Sequence, residues 1–412
     1  MTETLGPQLA PVDDTPAAWY RILRKVGLVY MFSRLCVLAG AAIVAAELQV
    51  DINQTKGVAG VPFADPAVAG RPLPTSALGP ISDVLSSWDG IWYMGIVRDG
   101  YPRHVQPHVT YFVADARAAF FPAYPMLVRA VDKVLPGGDT LAALFTNFVL
   151  GAVAIFLLGV LARQLYGEQV AAKAMVLGAM FPGSFVLSFA YTEALLLVLA
   201  MGCLWCLMSR RWVAAGLLAA LGTATRPNGL ALALACAVAA IIAIRQEHEW
   251  RSLAAPLLSP LGFVAFQIWL GHHTGEAGVW FRVQREAWAE GASYGLTAIS
   301  KSYEAFAHPL TSPTNVITAA TVMTMLLMIY FLWRRRLPLP MVAYIAGILV
   351  LMLIPNTVTA RPRFLYTAFP LLISAAAFLH SDRRDWWPYV IGACSAGLVT
   401  LTALYGVFGA IP

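Results

Sequence analysis

The sequence predicts an all-α polytopic membrane protein, and three observations carry that prediction. Of the 412 residues, 59% are hydrophobic and only 12% are charged, whereas a soluble domain carries roughly 25% charged residues. The mean hydropathy is +0.68. The apolar residues fall in long runs of Ala, Leu, Val, Ile and Phe, many approaching the ~20 residues that cross a ~30 Å hydrocarbon core as a helix. A soluble globular or disordered chain is thereby excluded. The net charge of +6 and pI near 9.1 speak first of topology and lipid headgroups, not of a nucleic-acid partner.

Taken in order, residues 1–27 are polar up to Trp19 and then carry Arg21, Arg24 and Lys25, which reads as a cytoplasmic N-terminal segment. No small-residue cleavage site follows at signal-peptide distance, so the first apolar run is expected to be a retained helix. Residues 28–412 form one transmembrane domain of about eleven spans. They lie at 28–48, 140–162, 170–189, 192–208, 212–225, 228–244, 253–270, 315–333, 339–355, 365–380 and 388–409. Basic residues cluster at 21–25, 163–173, 210–211, 245–251, 334–336 and 383–384. These short segments dominate the positive-inside rule, so the N-terminus is expected in the cytoplasm and the C-terminus outside a cell (plasma) membrane. Arg34, at the start of the first span, is read as one more orienting charge.

Two segments are too long to be mere connections: 49–139 and 271–314, both on the expected outer face. Long loops are uncommon unless functional, so the working surface is expected to be extracytoplasmic. The absence of an internal repeat speaks against transporters built from duplicated halves. Cys36, Cys203, Cys206, Cys236 and Cys394 all sit in apolar runs, so no disulfide framework is expected. Cys203 and Cys206 have metal-pair spacing but no second pair, and read as small packing residues.

The chemistry-bearing residues are few enough to follow individually. In Trp88-Asp89-Gly90-Ile91-Trp92-Tyr93, a helix opened by Asp89 sets Trp92, Tyr93 and Ile96 at i+3, i+4 and i+7, so a carboxylate lies beside an aromatic strip. Asp89 serves equally well as a plain helix cap. Arg117 precedes Phe120-Phe121-Pro122-Ala123-Tyr124-Pro125, where two prolines break any continuous span. Tyr191-Thr192-Glu193 opens a span, where a carboxylate suits the helix N-terminus. Thr225-Arg226-Pro227-Asn228-Gly229 interrupts an apolar stretch, and Arg361-Pro362-Arg363-Phe364 sets two further guanidiniums at the outer mouth.

Arg226, Arg361 and Arg363 are the basic residues of the short outer turns. An arginine near the membrane is costly and functional by default. A cluster of them on the wrong side for topology asks for an anion, and phosphate best matches the planar fork of donors. A carboxylate in the same cavity supplies a base, so the pattern suggests transfer of a group from a lipid phosphate. Neither a Walker pattern nor a Gly-rich dinucleotide turn occurs, and His272 and His273 are adjacent without a carboxylate pattern. No cofactor and no metal are therefore expected.

Five motifs in order then resemble the PIG-V family, the GPI-anchor mannosyltransferases that add the second mannose, with prokaryotic relatives. They are Trp88-Asp89 with Gly100-Tyr101, Phe120 to Pro125, Phe181-Pro182 with Tyr191 to Leu195, Arg226-Pro227-Asn228-Gly229-Leu230, and Pro362-Arg363-Phe364-Leu365. The chain departs from the eukaryotic pattern at Pro227, where Ser is usual, and its compact, Ala-rich character suggests a prokaryotic relative. The resemblance implies a GT-C-like transmembrane bundle whose large first outer loop carries the catalytic acid. The implied partners are membrane lipids, a polyprenyl-phosphate mannose donor and a glycolipid acceptor, with inversion at the sugar. By the same resemblance Asp89 is the catalytic base, and Arg226, Arg361, Arg363 and Arg117 face the donor phosphate. Trp88, Trp92, Tyr93, Glu193, Asn228, His272 and His273 are then sugar or acceptor contacts. Two readings stay open: a transporter or lipid flippase, and an enzyme of this type using a different polyprenyl-phosphate sugar.

Overall fold

The computed structural model describes residues 16–57, 76–382 and 385–410. The start of the N-terminal segment, residues 58–75 of the first long loop, and Arg383 and Arg384 lie outside the described residues. Among the described residues the chain is helix and turn with no strand, in agreement with the expected all-α class. The helices are α1 Pro16–Gly57, α2 Leu78–Leu85, α3 Asp89–Asp99, α4 Ala123–Asp132, α5 Asp139–Tyr166, α6 Glu168–Met180, α7 Glu193–Met208, α8 Trp212–Thr223 and α9 Leu230–Glu247. They continue as α10 Ala254–Leu258, α11 Leu261–Thr274, α12 Val279–Ala287, α13 Leu296–Ala307, α14 Pro313–Arg334, α15 Leu339–Leu353, α16 Pro362–Thr367, α17 Pro370–Ser381 and α18 Trp387–Gly406.

Among the described residues, six helical segments are long and apolar enough to cross a bilayer: Trp19–Glu47, Asp139–Tyr166, Pro227–Glu247, Trp250–Thr274, Pro313–Arg334 and Trp387–Gly406. Four apolar helices are shorter, Glu193–Met208, Trp212–Thr223, Leu339–Leu353 and Pro370–Ser381. At 1.5 Å per residue they reach only about 18–24 Å, short of a ~30 Å core. Segments outside the α-helices, at 188–192, 224–229, 354–361 and 368–369, adjoin the ends of these four helices. The shortfall is where the site is built.

The two long loops have structure of their own. The first contains α2, α3, a 3-10 turn at Ala114–Ala119 and α4, which packs along α5. The two prolines at 122 and 125 therefore open a surface-lying helix, consistent with their tolerance at a helix start. The second contains α12 and α13. Small residues let the bundle close: a Cβ on Gly347 of α15 would sit 2.8 Å from Cβ of Ala231 on α9, so these helices approach as closely as small residues permit in a bilayer. Cys203 of α7 contacts Cys236 of α9, their Sγ atoms 3.9 Å apart, and all five cysteines are free.

Arg34 differs from its expected role. It is buried on α1, where its guanidinium donates to the carbonyls of Ala179 (3.2 Å) and Ser184 (2.8 Å) and to the hydroxyls of Ser184, Ser188 and Ser33. It caps the C-terminal end of α6 and stitches the following 3-10 turn to α1. A buried guanidinium with every arm bonded is a structural clamp, not an orienting charge.

Candidate active site

Asp89 is aimed by the residue before it. Trp88 adopts φ 56°, ψ −122°, a region costly for a non-glycine residue and held only where surroundings over-determine it. Its indole Nε1 donates to the carbonyl of Tyr405 at 2.9 Å and its ring lies 5.1 Å from Phe408. The end of α18 thus grips the Trp88 side chain while the backbone turns sharply and opens α3 with Asp89. At the far end of α3, Arg129 of α4 donates to the carbonyls of Ile96 and Val97.

Three further charges converge on Asp89 from distant parts of the chain. Arg363 of α16 donates through Nη1 to Asp89 Oδ2 at 2.5 Å across 274 residues of sequence. The same nitrogen lies 3.7 Å from Glu193 Oε1, at the start of α7. Arg226 pairs with the same Glu193 oxygen and reaches Thr192 Oγ1 at 3.5 Å. Two carboxylates and two guanidiniums thus alternate as Asp89, Arg363, Glu193, Arg226. Their side-chain exposures are 22%, 6%, 1% and 11%; Asp89 opens most to the solvent and Glu193 lies beneath the arginines. The faces of both arginines rest on aromatics, Arg363 over Tyr191 and Phe364 at 5.3 and 4.7 Å, Arg226 over Phe364 at 5.4 Å. Such stacking suits guanidinium better than ammonium.

The backbone around Arg363 is fixed by Gly183. A Cβ there would lie 2.3 Å from the Pro362 carbonyl oxygen and 2.9 Å from Cβ of Tyr366. Only glycine lets the Pro182–Leu187 turn, clamped from behind by Arg34, press this closely on the turn that carries Arg363.

These groups face a cavity of about 750 Å³ lined in part by Trp88, Asp89, Tyr93, Arg226, Asn228 and Arg363, within the size of small-molecule sites. Six of the residues proposed from sequence therefore meet in one place. The others are placed elsewhere. Glu193 underlies the arginines outside the lining. Trp92 backs the wall, its ring 5.4 Å from Tyr111 and 6.4 Å from Trp288. Arg117 lies 4.0 Å from Asp99 at the C-terminal end of α3. His273 stacks on Trp269 at 4.9 Å and meets the Tyr101 carbonyl at 3.3 Å, while His272 is exposed. Arg361 is wholly buried, donating to Thr318 Oγ1 (2.5 Å) and the Thr359 carbonyl (3.1 Å).

Sequence reasoning missed the roof of the cavity. The second loop contributes Trp280, Gln284, Arg285, Trp288 and Glu290 to the lining, with the Trp288 ring against Tyr111 and Phe120 at 5.6 Å each. Arg282 ties this loop to the first by bonding Glu276, Glu286 and the carbonyls of Val105 and Gln106. Hydrogen bonding to Arg282 holds the Glu276 carboxyl below its usual range. Glu290 accepts from the amides of Asn356 (2.8 Å) and Thr357 (3.2 Å) and from the Thr357 hydroxyl, closing the wall on the other side. The legible signal was the period of α12, where Val279, Trp280 and Val283 are buried and Gln284 and Arg285 follow on the adjoining face.

No curated protein matches the chain. Among solved structures it is similar to ArnT from Cupriavidus metallidurans in the apo state, at 14% identity and a TM-score of 0.47 over 76% of this chain and 62% of that one. ArnT bound to undecaprenyl phosphate gives the same identity and TM-score over 77% and 63%. The oligosaccharyltransferase of Archaeoglobus fulgidus follows at 13% identity, TM-score 0.39, over 90% and 54%. The chain thus spans about three fifths of the length of the ArnT structures it matches. Residues 73–255 match the model of the mannosyltransferase (PIG-V) family, which bears out the resemblance read from the motifs.

Proposed function

We propose that the protein transfers a mannosyl residue from polyprenyl-phosphate mannose to a glycolipid acceptor, with inversion, on the extracytoplasmic face of the cell membrane. The observation that carries the reading is the convergence of Asp89, Arg363 and Arg226 on one cavity at the ends of short apolar helices. A polyprenyl phosphate cannot leave the bilayer, so its sugar must be met at the membrane surface by such helix ends. The acceptor hydroxyl attacks the anomeric carbon from the face opposite the phosphate. The carbon–oxygen bond to phosphate breaks, its electron pair leaves with the polyprenyl phosphate, and the hydroxyl proton passes to Asp89. Because the leaving group departs as an anion, one base suffices, unlike the acid and base pair of hydrolases.

The pairing of Asp89 with Arg363 gives this reaction an order. While Oδ2 of Asp89 accepts from Arg363, that oxygen is occupied by the guanidinium and not turned to an acceptor hydroxyl. Donor phosphate competes for the Arg363 fork, so donor binding frees the Asp89 carboxylate as it fixes the leaving group. Glu193 keeps Arg226 and Arg363 together throughout. Asn228, Trp88 and Tyr93 remain to meet sugar hydroxyls and the sugar's apolar face.

The test is transfer by purified protein in vesicles containing a defined polyprenyl-phosphate mannose, with mass spectrometry of the glycolipid product. Asp89→Asn is expected to lower turnover by about 10²–10⁴-fold, the usual contribution of a positioned base, with donor binding retained. Wild-type turnover in Asp89→Asn removes the base assignment. Transfer of a different hexose from its polyprenyl phosphate, with mannose inert, corrects the sugar; movement of intact lipid without transfer establishes the flippase reading instead.

A further inference from the structure

Helix α13 is built inside out for a helix in water. Its face toward the protein holds Ala298 and Ala305, 2% and 7% exposed, with Lys301 half-buried beside them. Its large apolar residues point outward: Leu296, Ile299, Tyr303 and Phe306 are 67–73% exposed. Their spacing of i, i+3, i+7 and i+10 makes a single stripe, flanked in sequence by Tyr294 (80% exposed) and Leu310 (98% exposed). Scattered exposed apolar residues are ordinary, but a contiguous stripe marks a surface that meets something apolar.

We propose that this stripe is seated in the headgroup–acyl boundary of the bilayer, so that α13 is an interfacial anchor. Three observations commit it to lipid. First, residues 308–312 connect α13 directly to α14, one of the apolar spans. At ~3.3–3.6 Å per residue that connection reaches less than about 20 Å, which fixes α13 at the end of a membrane-crossing helix. Second, α13 packs along α14, whose own outward residues, Met323, Leu326 and Leu327, are exposed and apolar. Third, the stripe mixes Leu, Ile and Phe with tyrosine, and Ser300 and Glu304 occupy the adjoining exposed side, the make-up of helices that lie in the interface.

The anchor is bolted to the cavity. Thr297 Oγ1 donates to Asn356 Oδ1 at 2.8 Å, Lys301 Nζ to the Thr357 carbonyl at 3.0 Å, and the amide of Gly295 to the Leu353 carbonyl at 2.9 Å. The neighbouring Ile354, Pro355 and Thr357 line the cavity. Seating α13 in the interface therefore sets that wall at the depth of lipid phosphates.

The test places an environment-sensitive fluorophore on single cysteines introduced at Ile299, Tyr303 or Phe306, with Ser300→Cys and Glu304→Cys as references. The full chain sits in lipid nanodiscs at one copy per disc, and labelling of the native cysteines in the unsubstituted chain is subtracted. Stripe positions are expected to emit to the blue of the references and to be quenched about twofold or more by phosphatidylcholine brominated near the top of the acyl chain. Because the readout is spectroscopic, it stands or falls independently of any transferase activity. Equal, water-like emission and no quenching at all five positions overturns the proposal. So does a blue shift that appears only with two copies per disc, which identifies a second copy of the chain as the occupant.

Discussion

Two turns supply the arginines, and they are written almost alike: Thr225-Arg226-Pro227 and Ala360-Arg361-Pro362-Arg363. In both, the arginine before proline is extended, at φ −170°, ψ 161° for Arg226 and φ −103°, ψ 147° for Arg361, as proline imposes on the residue ahead of it. In both, the proline opens a short helix. Their outcomes nevertheless differ. Arg226 enters the cavity, whereas Arg361 is buried against Thr318 and Thr359, and its neighbour two residues on, Arg363, takes the place beside Asp89. Local chemistry thus fixes the backbone of each turn. Which guanidinium reaches the site depends on what packs around it: Glu193 under the first turn, Gly183 and Tyr191 against the second.

The largest effect that would sharpen this contrast is expected from Arg363→Lys. Lysine keeps the charge, and one nitrogen could still lie between Asp89 and Glu193 as Nη1 does, but it loses the planar fork of donors and the stacking on Tyr191 and Phe364. Turnover is expected to fall about 10²–10³-fold, the scale of removing one donor aimed at developing charge. Steady-state assay against wild type checks this, and an unchanged kcat would assign leaving-group stabilisation to Arg226 alone. Next comes Glu193→Gln. The amide keeps the shape but leaves two buried guanidiniums facing each other without their shared anion, and breaking a buried pair costs about 3–5 kcal/mol. A Tm lowered by several degrees together with a raised donor KM is expected, and Glu193→Asp should recover part of both. Retention of wild-type Tm and KM in Glu193→Gln would mean the arginines are held by their aromatic partners.

The difference between the two turns also shows what the sequence could disclose. A bilayer accepts only structures whose backbone groups are bonded internally, so apolar helices are written in composition: each of the eleven stretches holds helix, and among the described residues six are long and apolar enough to cross a membrane. The motif residues on turns stand out because charge is scarce. Pairing is another matter. Asp89 and Arg363 meet across 274 residues, and nothing in local spacing says that Arg363 rather than Arg361 does so. The roof from α12 and the turn that follows it, and the outward face of α13, were hidden for a related reason. Trp280 and Trp288 look like core residues, the Ile299–Phe306 stripe like a buried face, and only docking of the second loop on the first shows which way each side points. His272 and His273 drew attention as ionisable residues in a long loop, yet His273 serves the packing of Trp269 and Tyr101.

Gly183→Ala probes the packing that separates the turns. The added Cβ meets backbone atoms of Pro362, which cannot rotate away, so the α16 turn must shift; overpacking of this kind costs about 1–3 kcal/mol. Displacing Arg363 by a fraction of an ångström is expected to lower kcat by about tenfold, since misplacement of 1 Å can cost 10²-fold. A fall in Tm without change in kcat would show that the turn absorbs the methyl elsewhere and that Arg363 has slack.

The smallest effect is expected from Arg361→Lys, and it bears most directly on the comparison. Arg361 is 0% exposed, and its Nε and Nη2 have no partner among the described residues. A buried guanidinium that satisfies only one arm gains little over a smaller cation, because desolvation offsets much of its bonding. Lysine can keep the bond to Thr318 while shedding the two unpartnered nitrogens. Turnover within about threefold of wild type is therefore expected, with Tm changed by only a few degrees in either direction. If Arg361→Lys instead lowers kcat as steeply as Arg363→Lys, then Arg361 reaches the donor phosphate in the working enzyme. The two turns would then act alike, each through the arginine that precedes its proline, and their different packing would not decide which guanidinium works.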